Sequence, residues 1–235
     1  KILDSIEAVV AESDAILLHS LDGRVHPEQF ARVAAAGPGK PVFIDKPFAV
    51  STADARALFA TAKKHGVPMF SSSSLRFTGA LTRVVTPETK ALVRGADFCG
   101  PVAHEKTNPG FYWYGIHAVE MLYAAMGRGC VSVRCVSNEL YDLVTGVWAD
   151  GRIGTIRGNR TSNYEFHGVV HFEKNSVHVN VQTETKGFYT CLGEAILEFV
   201  RTRTLPIDPE ETIELIRFIE AANESSVNGG RDVRL

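Results

Sequence analysis

The first third of the chain alternates short apolar runs with longer stretches of helical periodicity. AILLHS (15–20), KPVFID (40–45) and VPMFSSS (67–73) have strand length and are rich in apolar and β-branched residues. Between them, HPEQFARVAAAG (26–37) carries proline near its start and glycine at its end. STADARALFATAKKHG (51–66) opens on Ser51 or Thr52 as a cap, fills its last turn with lysines and a histidine, and stops at Gly66. Strand, helix, strand, helix, strand predicts parallel strands joined by right-handed crossovers, part of a doubly wound, Rossmann-like α/β sheet.

Near residue 77 the rhythm changes. GALTRVVTPETKALVRG (79–95) reads as helical, PVAHEKTN (101–108) as a strand, and GIHAVEMLYAAMG (115–127) as a helix ended by glycine. Strand-like runs follow: VSVRCVSNEL, DLVTGVWADGRIGTIRGNR and EFHGVVHFEKNSVHVNVQTE. WADGRIG holds a D-G turn between alternating flanks, a hairpin signal, and EKNS is a second candidate turn. TCLGEAILEFVRT and PEETIELIRFIEAANESS read as two amphipathic helices. The pattern predicts α/β followed by α+β, with a mixed or antiparallel sheet and helices on one face, the helices at 115–127 and 191–201 being the candidates for that cover. Two domains are expected, 1–76 and 77–235.

Composition narrows the function. The 235 residues are 45% hydrophobic and 22% charged, ordinary for a globular chain, and the formal net charge of −2 leaves no basic face for nucleic acid. No apolar run approaches the ~20 residues that span a bilayer, and the acidic, amphipathic start KILDSIEAVVAESDA is no secretion signal. Four cysteines without a C-x-x-C pair read as small buried hydrophobes in a reducing compartment, with a disulfide or metal site as the lesser reading; a cytoplasmic location is expected, with an export signal upstream of Lys1 as the alternative.

Open parallel sheets bind ligands beyond the carboxyl ends of their strands. Three such ends are legible here: HSLDG, DKP and SSSSLR. Lys46 therefore points toward the expected site, and Pro47 holds it extended. His117 sits in the first turn of an otherwise apolar helix, with Glu120 at i+3 on the same face and placed to accept the imidazole's other proton. Taken alone, Asp45-Lys46 reads first as a solvated strand end and His117 first as a core histidine satisfied by backbone. The aromatic run Tyr112, Trp113, Tyr114 either lines a pocket or plugs the junction between the two halves.

In these motifs the chain resembles the Gfo/Idh/MocA oxidoreductases, the group containing glucose–fructose oxidoreductase and inositol dehydrogenase. The family's E-K-P signature stands here as Asp45-Lys46-Pro47, and its G-x-H-x-x-D/E helix start as Gly115 to Glu120. The resemblance implies hydride exchange between NAD or NADP and a carbinol carbon of a sugar or polyol. It implies His117 as base, and Lys46 as the electrostatic group reaching the nicotinamide ribose. It also implies Tyr112, Trp113, Tyr114 and Glu120 on the substrate side, and Ser20, Leu21, Asp22, His26 and Asp45 with Lys46 on the cofactor side. A homo-oligomer through the second sheet, along 143–158 and 165–183, belongs to the same expectation. The alternatives are a non-catalytic scaffold and an NAD-dependent glycoside hydrolase.

Two departures from the family pattern stand out. Trp113 occupies the position where many members place an aspartate four residues before the histidine, and an indole does no acid–base work. No G-x-G-x-x-G turn follows a strand: AAGPGKP (34–40) precedes one and GRIGTIRG (151–158) lies in β-like sequence. In family order the chain begins near the fourth sheet strand. The glycine turn is therefore expected upstream of Lys1, within roughly 80 to 100 residues, the size of a half-Rossmann unit. Residues 1–235 alone are then expected to leave the AILLHS edge open and to bind NAD(P) weakly.

Overall fold

The computed structural model describes residues 1–103 and 105–235. After a short helix α1 (Ile6–Ala11), three strands, β1 (Ile16–Leu18), β2 (Val42–Ile44) and β3 (Met69–Ser71), pair in parallel in the order β1-β2-β3. The register sets Leu18 beside Ile44 and Ile44 beside Ser71, so the three carboxyl ends lie side by side. The crossovers are α2 (His26–Ala36) and α3 (Thr52–His65). Ser51 caps α3 by accepting the Asp54 N–H at 3.0 Å, and Gly66 ends it in the left-handed region at φ +62°, where glycine carries no Cβ penalty.

The two faces of this sheet have different partners because strand side chains alternate. Val42, Ile44 and Met69 join Phe30, Val33 and Leu58 of the crossover helices. Phe43 and Phe70 point the other way, onto Leu192, Ile196 and Phe199 of α7 (Phe188–Thr202), with the Phe43–Phe70 and Phe70–Phe199 rings edge to face at 5.1 and 5.0 Å. This corrects the expectation that 191–201 covers the second sheet. Its apolar stripe is spent on the first.

The second sheet has seven strands: β4 (Gly95–Pro101), β5 (Cys130–Ser137), β6 (Tyr141–Trp148), β7 (Ile153–Asn159), β8 (His167–His171), β9 (Ser176–Asn180) and β10 (Val233–Arg234). Their order is β10-β5-β6-β7-β4-β8-β9, antiparallel except for the β4–β7 pair. The predicted hairpins are present as β6–β7 and β8–β9. Between the sheets, 79–95 forms two short helices, α4 (Gly79–Thr82) and α5 (Pro87–Lys90), before β4 begins. The strand expected at 101–108 lies earlier, at Gly95–Pro101, where Ala96 and Phe98 alternate into the core; His104 of that stretch is outside the described residues.

One face of the large sheet is covered by α6 (Gly115–Met126), which packs on β4 and β7, and by α8 (Pro209–Val227), which packs on β5. Tyr123, Trp148 and Phe218 meet at this layer, and the Trp148 Nε1–H donates to the Gly127 carbonyl at 2.9 Å. The other face is open. It carries Val136, Leu143 and Ile153, each about half exposed, among Arg134, Thr155, Asp97 and His171. The main core continues from β1–β3 into this layer. All four cysteines are unpaired, with Cys130, Cys135 and Cys191 buried. No described helix is long and apolar enough to cross a membrane.

Candidate active site

The carboxyl ends of β2 and β3 and the first turn of α6 converge. Pro47 ends the β2 run, and Lys46 leaves it toward the second half of the chain. Its Nζ donates to the Trp113 carbonyl at 3.3 Å and lies 4.4 Å from the centre of the Trp113 ring and 5.7 Å from that of Tyr114. A cation held over an indole is oriented by the ring's negative face. Burial lowers the ammonium's pKa, and the Asp45 carboxylate partly opposes this.

His117 stands beside this group. Tyr114 and Phe166 flank its ring edge to face at 5.7 and 5.4 Å, and its Nδ1 lies 2.6 Å from the Ser73 hydroxyl at the end of β3. Removal from water, and then the Lys46 charge, bring its pKa down to about 3, so the imidazole is neutral at pH 7. Its Nε2 has no protein partner among the described residues and is not a buried unpaired atom, so it remains open to an incoming ligand. A cation, an imidazole and the Trp113 and Tyr114 rings thus cluster at the strand ends.

Three expected site residues take other positions. Glu120 does not meet the imidazole. It is buried beneath it, where it accepts from Arg76 Nε at 2.6 Å and from the Ser73 N–H at 3.1 Å. Position i+3 put it on the right face, but the buried guanidinium of Arg76 claims the carboxylate. Tyr112 is 2% exposed and turns away from Lys46, toward a separate cavity of about 450 Å³ lined also by Phe111, Glu220 and Asn223. His26 is wholly buried, with Nδ1 3.1 Å from the Phe48 carbonyl and Nε2 2.9 Å from the Ser20 carbonyl. Both ring nitrogens are occupied by backbone, so His26 joins the loop after β1 to the loop after β2 and has no free edge for a cofactor.

The loop after β1 keeps the remaining residues near the surface. Leu21 is 61% exposed, Ser20 donates to Gln29 at 2.6 Å, and Asp22 pairs with Arg24 at 2.7 Å. Asp45 faces His19 at 3.7 Å. This loop is tied to the second half by Asn108, which is fully buried. Its Oδ1 accepts the Gly23 N–H at 3.1 Å and its Nδ2 donates to the Leu21 carbonyl at 3.0 Å. Asn108, Ser73 and Arg76 carry no motif of their own. SSSSLR was legible as a strand end, but nothing in a run of four serines says which one meets an imidazole. Among the described residues, no group of three His, Cys, Asp or Glu side chains is placed to hold a metal ion.

Parallel strand ends facing a histidine-bearing helix define the class of fold: a partial doubly wound α/β sheet joined to a second, mixed-sheet domain. Residues 1–73 match the model of the GFO_IDH_MocA oxidoreductase family, NAD-binding Rossmann fold. The fold of the whole chain is similar to that of GenD2 from gentamicin A biosynthesis, solved in complex with NAD. That match has a TM-score of 0.83 at 18% identity and covers 100% of this chain and 82% of GenD2. Myo-inositol 2-dehydrogenase from Lactobacillus plantarum matches at TM-score 0.81 and 13% identity, covering 99% of this chain and 84% of its own. UDP-N-acetylglucosamine 3-dehydrogenase GnnA from Acidithiobacillus ferrooxidans matches at TM-score 0.81 and 13% identity, covering 97% and 83%. No curated protein matches by sequence. The resemblance to the Gfo/Idh/MocA oxidoreductases is thereby shown, in sequence for residues 1–73 and in fold along the chain.

Proposed function

We propose that the protein is an NAD(P)-dependent oxidoreductase acting on a carbinol or carbonyl carbon of a sugar or polyol, with Lys46 and His117 as its catalytic residues. The observation that carries this is their proximity, from two motifs 71 positions apart, where the parallel strands end: both side chains lie against Tyr114, and the Lys46 charge acts on the imidazole. The donor set at this cluster suits the nicotinamide end of a dinucleotide: one cation, flat aromatic faces and an imidazole. Bound there, the nicotinamide would exchange the hydride. Residues 1–76 then serve the cofactor, with Ser20, Leu21, Asp22, Asp45 and Lys46 along its rim, and 77–235 the substrate.

The chain's own groups divide the remaining work. The Lys46 ammonium stabilises negative charge on the reacting oxygen, and partial burial strengthens that interaction by excluding water. Trp113, through its carbonyl and its ring, holds the ammonium in place. His117 meets the same oxygen at Nε2. Tyr114 and Phe166 pack against the imidazole edge to face and close the side. The open face of the large sheet is the surface for a second copy of the chain.

A panel of sugars and polyols, assayed with NAD and NADP in the protein as its source makes it, tests the reading. Lys46→Ala should lower kcat/KM by about 100-fold or more, on the scale of losing one electrostatic stabiliser. A second reading, a non-catalytic scaffold, is favoured by Trp113 engaging Lys46 directly. It is supported if no substrate turns over and Lys46→Ala changes nothing.

A further inference from the structure

We infer that Ser73 is a positioning residue that holds His117 in the tautomer carrying its proton on Nε2, so that at rest the imidazole donates to a substrate oxygen and cannot accept its proton. The inference rests on the reading that His117 faces the reacting oxygen.

Ser73 is fully buried. Its backbone is fixed from three sides: its N–H donates to Glu120 Oε1 at 3.1 Å, and its carbonyl accepts from the Ser72 hydroxyl at 3.0 Å and the Arg76 N–H at 3.3 Å. Its hydroxyl oxygen accepts the Leu75 N–H at 3.1 Å. The hydroxyl has a single hydrogen to give, and the one acceptor that the described residues place within reach is His117 Nδ1 at 2.6 Å. If Ser73 donates, Nδ1 is bare and the ring proton sits on Nε2, the nitrogen open to ligand. In the opposite tautomer Nδ1–H donates to Ser73, the oxygen accepts twice, and its own hydrogen is left without an acceptor in a dry site. A buried polar group left unpaired is what folded proteins avoid. The imidazolium has the same defect, since both its nitrogens donate.

The consequence separates His117 from a simple base. With Nε2–H and the Lys46 ammonium both donating, the resting site offers two donors to one oxygen. His117 can take a proton at Nε2 only after Nε2 has given up its own hydrogen, Nδ1 has acquired one and the Ser73 hydroxyl has turned. Ser73 therefore acts on the reaction through His117 and touches no substrate.

The tautomer is read directly by long-range 1H–15N correlation on the chain labelled with 15N-histidine at pH 7, the His117 signals being assigned by their loss in His117→Asn. The expected wild-type pattern is a protonated Nε2 and a bare, hydrogen-bonded Nδ1. In Ser73→Ala both tautomers should be populated, drawing the two nitrogen shifts toward each other, and Ser73→Thr should restore the wild-type pattern. A wild-type Nδ1 that carries the proton overturns the inference by itself, whether or not the alanine variant folds. A folded Ser73→Ala with unchanged shifts overturns it too. No cofactor or substrate enters this measurement. A failure here leaves the dehydrogenase reading standing, and absence of turnover with NAD(P) leaves the tautomer standing.

Discussion

Arg76 joins three elements at the back of the site, and its removal should be among the costliest single changes in the chain. Its Nε donates to Glu120 on α6 and its Nη1 to Glu211 on α8, both at 2.6 Å, with the three side chains 6–10% exposed. Burial raises the Glu120 pKa and the Arg76 charge opposes that rise, with the Glu211 charge a smaller raising influence. Replacing Arg76 by Met leaves the buried Glu120 carboxylate without a cation and Glu211 with only the more exposed Lys90 at 3.7 Å. Breaking a buried pair by deleting one partner costs about 3–5 kcal/mol. A kcal/mol shifts the melting temperature of a domain this size by roughly 2–4 °C, so the expected loss is roughly 6–20 °C. The assay is urea and thermal unfolding followed by circular dichroism at pH 7. Arg76→Met raises the Glu120 pKa further, so the variant's deficit should shrink at pH 5, where Glu120 more readily takes up a proton. Glu120→Gln should cost less, because Arg76 keeps Glu211, and the double variant should lose less than the sum of the two. A loss under about 1 kcal/mol for Arg76→Met would refute the claim that these charges are held out of water.

Three further expectations follow from the same geometry. His117 has a depressed pKa when folded, so between pH 6.5 and about 3 the unfolded chain binds a proton that the folded chain refuses; stability falls as pH falls through that window, by up to about 1.4 kcal/mol per unit. His117→Asn should remove that part of the slope, which urea midpoints at pH 7 and pH 5 would show as a smaller acid loss than in wild type. Asn108→Ala leaves the Gly23 N–H and the Leu21 carbonyl without their buried partner; each orphaned group costs about 1–3 kcal/mol, and proteolysis should open the loop at 20–24 before the chain unfolds. Gly168 lies opposite Phe98 in the β4–β8 pair, and a Cβ there would collide with the Phe98 ring and the Asp97 carbonyl, so Gly168→Ala should cost about 1–3 kcal/mol, read as a lower urea midpoint.

What was legible in the sequence follows the range over which each signal acts. Ser51 and Gly66 bound α3 through contacts within four residues, and those ends are where the pattern put them. The turns in WADGRIG and EKNS give the two hairpins for the same reason: a hairpin's register is local. Lys46 and His117 could be singled out because each sits at an element end that a short motif announces, one after a strand and one at a helix start. β10 escaped notice since Val233–Arg234 has no strand pattern of its own and becomes a strand only by pairing with β5.

The chain by itself determined the order and kind of its main elements, the parallel start, the mixed second sheet and the two motif residues, Lys46 and His117, on which the proposed site rests. Tertiary structure alone decided which partner each buried polar group takes. Glu120 lies on the same helical face as His117, yet it belongs to Arg76, because a buried guanidinium holds a carboxylate more strongly than a neutral imidazole does. α7 has a strong apolar stripe, but only packing assigned that stripe to Phe43 and Phe70 and not to the larger sheet. Ser73 is one of four serines in the sequence and becomes distinct only where β3 ends against α6. Periodicity and caps are short-range and survive in a linear text. The pairing of buried donors with acceptors is a sum over everything within hydrogen-bond reach, and that neighbourhood exists only once the chain has folded.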